Sequence, residues 1–499
     1  MYEAGVRRGG CNGPIWTVWS RAMSLVRDAT YEKGFATQPD EVAIDELEVT
    51  GVIPAWLSGT LVRNGPARYE VGDRTLNHWF DGLAMLHAFG FADGSVSYAN
   101  RYLHSGAHRA ATQEGHIAYP EFATDPCRSL FARVQAMFSS ADGDVAPNAN
   151  VNVVRLGERY LALTETPLPV QFDPRTLDTL GVARDAAAPT GQHATAHPHH
   201  DPERDEMVAY AVQFGGRSHY VLYAVAADGG ERRTIAKLPV AQPSYMHSFA
   251  LTTRYAVLCE FPLVVNPLRL AVRAKPFIAN YRWEPDRPAR FLVVDRATGE
   301  QQGAYEADPF FCFHHINAFE RDGSLVLDVA AYDDAEIISA LYLDRARDPE
   351  AVLPRVEPRR YELDLAHGAV RSRRLADVFF ELPRIDYGRR NGQPYAYAYA
   401  NSLAEPGAPG FLDRIVKLDV ETGAVATWAE DDCYAGEPVF VREPDGADED
   451  AGVLLSVVLD ARTGTSFLLV LDARDLSELG RADVPQHVPF GFHGAYFRA

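Results

Sequence analysis

Residues 292–300 read LVVDRATGE, and the same design returns as LDLAHGAV at 363–370, VKLDVETGA at 416–424 and LDARDLSEL at 471–479. In each stretch a Val/Leu-rich run ends on an aspartate, and a short polar turn leads into another strand-like run. Aspartate bonds the backbone two residues on and glycine accepts the left-handed conformation, so these stretches read as hairpins of one kind. From about residue 45 the chain is a succession of such runs between turn clusters, with few helical periodicities. The longest apolar stretches, 452–459 and 466–471, fall far short of the roughly 20 residues a spanning helix needs and read as buried strands. Hairpins that recur to the end of the chain, without a proline- or serine-rich linker, fit a propeller better than a sandwich. The expectation is an all-β fold, a single β-propeller domain.

Two helical inserts interrupt the pattern. At 126–139 (PCRSLFARVQAMFS), Leu130, Phe131, Val134, Met137 and Phe138 recur at steps that make one apolar face. At 335–343 (AEIISALYL) a second short helix is expected. Residues 1–22 are poorly patterned, which places the globular domain at 23–499.

Composition removes several classes of function. With 499 residues, 47% of them hydrophobic, the chain can bury a large core. A net charge of −20 disfavours nucleic acid, because phosphate binding needs clustered cations. Five scattered cysteines (Cys11, Cys127, Cys259, Cys312, Cys433) include no CxxC pair, which argues against a disulfide framework and a thiolate-held zinc. Arg7 and Arg8 are followed by no apolar run or small-residue cleavage site before Asp28, so a cytoplasmic protein is expected.

The chain has sixteen histidines. His197 in TAHPHHD, His247 in YMHSFALT, His314 in FFCFHHINAFE and His493 in PFGFHGAYF lie in or beside apolar, aromatic strand sequence, where an unpaired imidazole is costly to bury. They are too far apart to share a helix face as in HExxH, and taken singly each reads more readily as a satisfied core residue. The inner strands of a propeller, however, converge on its axis, where distant residues can meet at ligand distances.

Eight segments in order, GTLVRNGPARYE (59–70), HWFDGLAMLHAF (78–89), TAHPHHDP, MHSFALT, FHHINAFE, FELPRIDYGRRNGQPYAYAYA (380–400), GEPVFVREP and PFGFHGAYF, resemble the carotenoid cleavage oxygenase family across nearly the whole chain. DPCRSLF (125–131), the double histidine of FHHIN and the C-terminal segment are most similar to its animal-type branch of β-carotene oxygenases and retinoid isomerohydrolase. The resemblance implies a seven-bladed β-propeller with a helical and loop cap. It also implies iron(II), Fe(2+), held on the axis by His197, His247, His314 and His493, with dioxygen as co-substrate. Three glutamates of the family map to Glu165 in LALTETP, Glu381 in FELPRI and Glu437 in GEPVF. His199, His200 and His315 are neighbours that a regular strand would turn to its other face.

The chemistry agrees with this set. Four neutral imidazoles leave a divalent charge uncompensated, and carboxylates nearby can accept each ring's remaining N–H, fixing its tautomer. Histidine-only ligation suits iron, zinc or copper alike, so the choice of iron rests on the resemblance. Four ligands on an octahedral ion leave two positions open, and the implied reaction is cleavage of a C=C double bond of a carotenoid or apocarotenoid into two carbonyl products. Val151 in NANVNVV stands where many family members carry a threonine near the metal. The stilbene-cleaving members use a lysine upstream of the first glutamate, but no lysine lies between Lys33 and Lys237, which favours an apolar polyene. A retinoid isomerase of the same family, and a non-catalytic propeller scaffold that would hold no stoichiometric metal, are the competing readings. A substrate that dwells in a bilayer also implies a peripheral membrane surface. Residues 126–139 and 262–283, with Arg133, Arg269, Arg273, Lys275 and Arg282 among apolar residues, have the composition of an interfacial segment.

Overall fold

The computed structural model describes residues 31–125, 147–184, 186, 188–201, 203–229, 232–272 and 275–499. The four aspartate turns are all hairpins, each joining two neighbouring strands of one sheet: Ala289–Asp295 to Gln301–Ala307, Val356–Asp364 to Val370–Arg374, Arg414–Asp419 to Val425–Ala429, and Thr465–Asp472 to Glu478–Val484. Their chemistry is shared. The Asp295 N–H donates to the Glu300 carbonyl, the Gly299 N–H returns to the Asp295 carbonyl, and Asp295 Oδ1 accepts the Ala297 N–H at 2.9 Å. Asp364, Asp419 and Asp472 repeat the pattern. Gly299, Gly368 and Gly423 take φ near +75° in three of these turns, but in the fourth that position is Leu476, at φ 62°. A further turn of this design at Asp173 likewise uses a leucine, Leu177, at φ 60°.

Seven antiparallel sheets form the blades of a β-propeller. Their fourth strands, such as Val370–Arg374, are the most exposed, while second and third strands such as Gly452–Asp460 and Thr465–Asp472 are almost wholly buried. The ring closes on the C-terminal strand. Gly494–Arg498 pairs antiparallel with Gly59–Arg68, setting Gly494 opposite Arg63, so one blade joins the two ends of the described chain. Val49–Gly51 adds itself to the outer edge of the preceding blade through Glu478–Val484. Residues near both ends of the described chain thus take part in the closure.

The helix expected at 335–343 is present but divided: Glu336–Ala340 is followed by a second short helix, Leu343–Ala346. Tyr342 between them is extended, at φ −64° and ψ 138°, and bridges to His78, which breaks the helical run. The insert expected at 126–139 and the poorly patterned residues 1–22 lie outside the described residues. The run 262–283 leaves its blade between two paired strands, Leu263–Val264 and Arg282–Trp283, and carries a short helix, Pro267–Val272, at its tip. Among the described residues no helix is long and apolar enough to cross a membrane.

Candidate metal centre

Each blade brings one residue to the axis. His247 and His314 stand just ahead of the innermost strands Ala250–Leu251 and His315–Arg321, and His493 immediately precedes Gly494–Arg498. His197 lies ahead of His199–Asp201, on an innermost segment that pairs with Glu206–Gln213. The other three blades supply the glutamates. Glu165 follows Arg159–Leu163, Glu381 opens Glu381–Arg384, and Glu437 lies between Cys433–Ala435 and Val439–Arg442. In this way the propeller assembles a site that no local motif could hold.

The four imidazoles converge so that one ring nitrogen of each lies within 4.8 Å of every other. The Nε2 atoms of His197 and His247 are 2.8 Å apart, and those of His314 and His493 are 3.1 Å apart. Three rings give their Nδ1–H to a carboxylate: His247 to Glu165 at 2.7 Å, His314 to Glu381 at 2.6 Å and His493 to Glu437 at 2.7 Å. Those bonds fix the tautomer and leave each Nε2 with a lone pair. His314 and His493 then face each other lone pair to lone pair, an arrangement that repels unless a cation lies between them. With metal–nitrogen bonds of about 2.1 Å, two ligands at right angles would sit about 3.0 Å apart. The observed spacing fits, and the residues present suit a divalent metal.

Electrostatics favour the neutral form of His197 and His493, the form a ligand must take. Burial, and then the neighbouring rings of His493, His247 and His314, drives His197 well below the ordinary histidine range. Burial also lowers His493, to about 3, against the opposing pull of Glu437. For the glutamates burial acts upward but loses. Arg384, His493 and Arg63 together hold Glu437 well below the usual carboxylate range. Glu165 is lowered chiefly by His247, His193 and Tyr245, and Glu381 by His314 and the Leu382 N–H.

Several members of this site carry no signal in the sequence. Tyr245 donates its hydroxyl to both oxygens of Glu165, at 2.9 and 3.0 Å, and Tyr332 donates to Glu381 at 3.0 Å. Glu437 is different: it is ion-paired to buried Arg63 and, through Arg384 Nε at 2.8 Å, to a second guanidinium. Arg63 and Arg384 lie within the GTLVRNGP and FELPRI segments, yet nothing in a single sequence separates them from ordinary strand arginines. The three neighbouring histidines turn away from the cluster. His199 bonds the Phe249 carbonyl and Asn391, His315 bonds Ser248, and His200 lies at the surface near Asp205.

The cluster opens into a cavity of about 540 Å³. Its walls are largely aromatic and aliphatic, including Phe80, Phe122, Phe313, Phe492, Leu341 and Leu353, and His247, His314 and His493 lie at its boundary. Val151 lines it as well. Val151 heads the innermost strand Asn152–Leu156 of the blade that supplies Glu165, and its carbonyl accepts the His493 N–H at 3.2 Å. An apolar chamber that reaches the histidine cluster suits a long hydrocarbon presented to a metal.

Comparison with known proteins agrees with this geometry. The family model described as RPE65, retinal pigment epithelial membrane protein, matches residues 35–498. A carotenoid isomerooxygenase of Galleria mellonella is 34% identical, over 91% of this chain and 94% of its own length. A β,β-carotene 15,15'-dioxygenase of Gallus gallus is 32% identical, over 90% and 94% respectively. Among solved structures, a mutant of the Synechocystis apocarotenoid oxygenase superposes with a TM-score of 0.84 at 27% identity, covering 95% of this chain and all of that one. A cobalt-substituted form of the Synechocystis enzyme superposes with a TM-score of 0.83 at 28% identity, with the same coverage. Motif order, seven blades and near-complete alignment agree, and the chain belongs to the carotenoid cleavage oxygenase family, the family of RPE65.

Proposed function

We propose that this protein is an iron(II)-dependent dioxygenase that splits one C=C bond of a carotenoid or apocarotenoid into two carbonyl products. His197, His247, His314 and His493 are the ligands in this reading, and Glu165, Glu381 and Glu437 orient three of them. The observation that carries it is the convergence of four imidazole nitrogens, with three of the rings lining a largely apolar cavity. Bound there, ferrous iron would supply the redox chemistry that lets dioxygen react with a closed-shell alkene. Zinc has no such chemistry, and the relatives from Gallus gallus and Macaca fascicularis carry the name dioxygenase.

The chain's own residues bind and position. Phe80, Phe313 and Phe492 exclude water from the approach to the rings, and Val151 adds an apolar group where a hydroxyl would invite it. The three glutamates are already engaged by histidines, tyrosines and arginines, so no free carboxylate of this set is left to act as an acid or base. Selecting one double bond among many similar ones is therefore a matter of placement in the cavity. The exposed Leu268 on the short helix Pro267–Val272, together with exposed Lys275, supports peripheral contact with a membrane from which an apolar substrate enters.

The test is iron-loaded protein given β-carotene and an apocarotenal under ¹⁸O₂, with products separated and weighed. Two carbonyl products, each carrying label, are expected. Absence of any aldehyde from a polyene, with cleavage of a stilbene instead, would overturn the substrate; turnover without oxygen consumption would overturn the reaction.

A further inference from the structure

The cavity holds polar groups that the proposed chemistry does not use. His193 is 4% exposed and lines the chamber, yet among the described residues no group reaches its Nε2. Its ring lies over Phe277 at a centroid distance of 5.5 Å and 20° between planes, which fixes its orientation. Asn280, on the turn that follows Phe277, also lines the chamber. The Asn280 amide nitrogen donates to the carbonyls of Pro276 at 2.7 Å and Phe277 at 3.2 Å, while its buried Oδ1 has no partner among the described residues. Two groups anchored to the same phenylalanine thus keep hydrogen-bonding capacity inside a largely apolar space. Buried polar groups without partners are uncommon and invite a ligand that supplies them.

We propose that His193 and Asn280 form a subsite for a hydroxyl group carried on one end of the polyene. The inference rests on the dioxygenase reading for its substrate class. Burial lowers the His193 pKa, so its ring is neutral near pH 7 and carries one donor and one acceptor. Asn280 Oδ1 is acceptor only. The ring's single N–H is given to the Met246 carbonyl, which leaves Nε2 an acceptor like Oδ1, so a hydroxyl can donate to either of them. A carbonyl oxygen, itself only an acceptor, and a hydrocarbon end satisfy neither. An alcohol is therefore preferred over both an aldehyde and a hydrocarbon. The subsite is linked to the metal centre: the His193 ring is 6.1 Å from that of Tyr245, which bonds Glu165, the partner of His247. Holding one end of a rigid polyene there would determine which double bond reaches the four imidazoles.

The experiment is direct binding to full-length, metal-free protein, read by quenching of tryptophan fluorescence. The probes are apocarotenoids of equal chain length with a hydroxylated or an unsubstituted ring. Wild type is expected to bind the hydroxylated probe about tenfold more tightly, the effect of one satisfied hydrogen bond. His193→Leu should bring the ratio to about one, and His193→Gln should recover part of it. A wild-type ratio near one, or the full ratio retained in His193→Leu, would overturn the subsite. If His193→Leu does not fold, His193→Phe takes its place, and the wild-type ratio alone remains decisive. A retained ratio in a protein that cleaves no polyene would defeat the dioxygenase reading and leave the subsite standing; cleavage with no ratio would do the reverse.

Discussion

His314 and His493 face each other through Nε2 atoms 3.1 Å apart, while each gives its Nδ1 proton to a different glutamate. Both lone pairs point into one small volume, and the glutamates that orient them come from two further blades. A positive charge between the rings would relieve the repulsion of the two lone pairs, so the fold presents a site suited to a cation.

Metal content should follow this cluster and not histidine number. His247→Ala removes a nitrogen from the set and should lose stoichiometric iron after loading and gel filtration. His200→Ala, at the surface beside Asp205, should keep it. Equal iron in the two variants, measured by elemental analysis, would refute the assignment.

The three glutamates should not be equivalent. Glu381→Gln disturbs one ring and should weaken metal binding by about 10- to 100-fold. Glu437→Gln also strips the carboxylate from Arg63, which is 4% exposed, and from Arg384, leaving cations without their partner. Breaking such a buried pair costs about 3–5 kcal/mol. Urea unfolding of the metal-free variants should therefore show Glu437→Gln as clearly the less stable; equal midpoints would argue against the arginine clamp.

Acid should destabilise the protein through histidines outside the metal centre. His78 accepts the Phe80 N–H at Nδ1 and bonds the Ile338 carbonyl through Nε2, so it is held as a neutral ring with no room for a second proton. Burial lowers His78 and His87 to about 3. The unfolded chain protonates these rings near pH 6.5, whereas the folded protein resists until about pH 3, so stability is full above 6.5 and falls as pH drops toward 3. Each ring contributes a slope of about 1.4 kcal/mol per pH unit in that window. His78→Asn, which keeps a capping oxygen, should flatten the slope by one such increment in chemical denaturation across pH 4–7. An unchanged slope would show that the ring does not titrate as described.

Left-handed leucines should matter for what they bury. Leu177 has φ 60° and is fully buried, so Leu177→Gly relieves about 1 kcal/mol of backbone strain but forfeits about 2–5 kcal/mol of packing. The variant should be destabilised. Asp93, at φ 51° on an exposed hairpin, buries nothing, and Asp93→Gly should change stability by no more than about 0.5 kcal/mol. Thermal melts of the two variants check the contrast.

These turns also show where local reading stops. Asp295, Asp364 and Asp419 are followed by a glycine at the left-handed position, and their hairpins are legible from residue type alone. The turn at Asp173 has Leu177 there, and only burial of that side chain against the neighbouring strands holds it in a conformation leucine otherwise avoids. The short helices near 335–343 were legible as helix, but their division was not, because the bridge from Tyr342 to His78 is a long-range contact.

By itself the sequence determined the strand and turn alternation, and through its ordered motifs the family and seven candidate residues for the site. Those properties follow from side-chain chemistry within a few residues, and from order along the chain. Only the tertiary structure decided which nitrogen of each ring faces its neighbours, that Glu437 answers to two arginines while Glu165 and Glu381 answer to tyrosines, and that His193 is left facing the chamber. Each of these arises where separate blades meet at the axis, and pairings between residues 49 to 374 positions apart leave no periodicity for a single sequence to display.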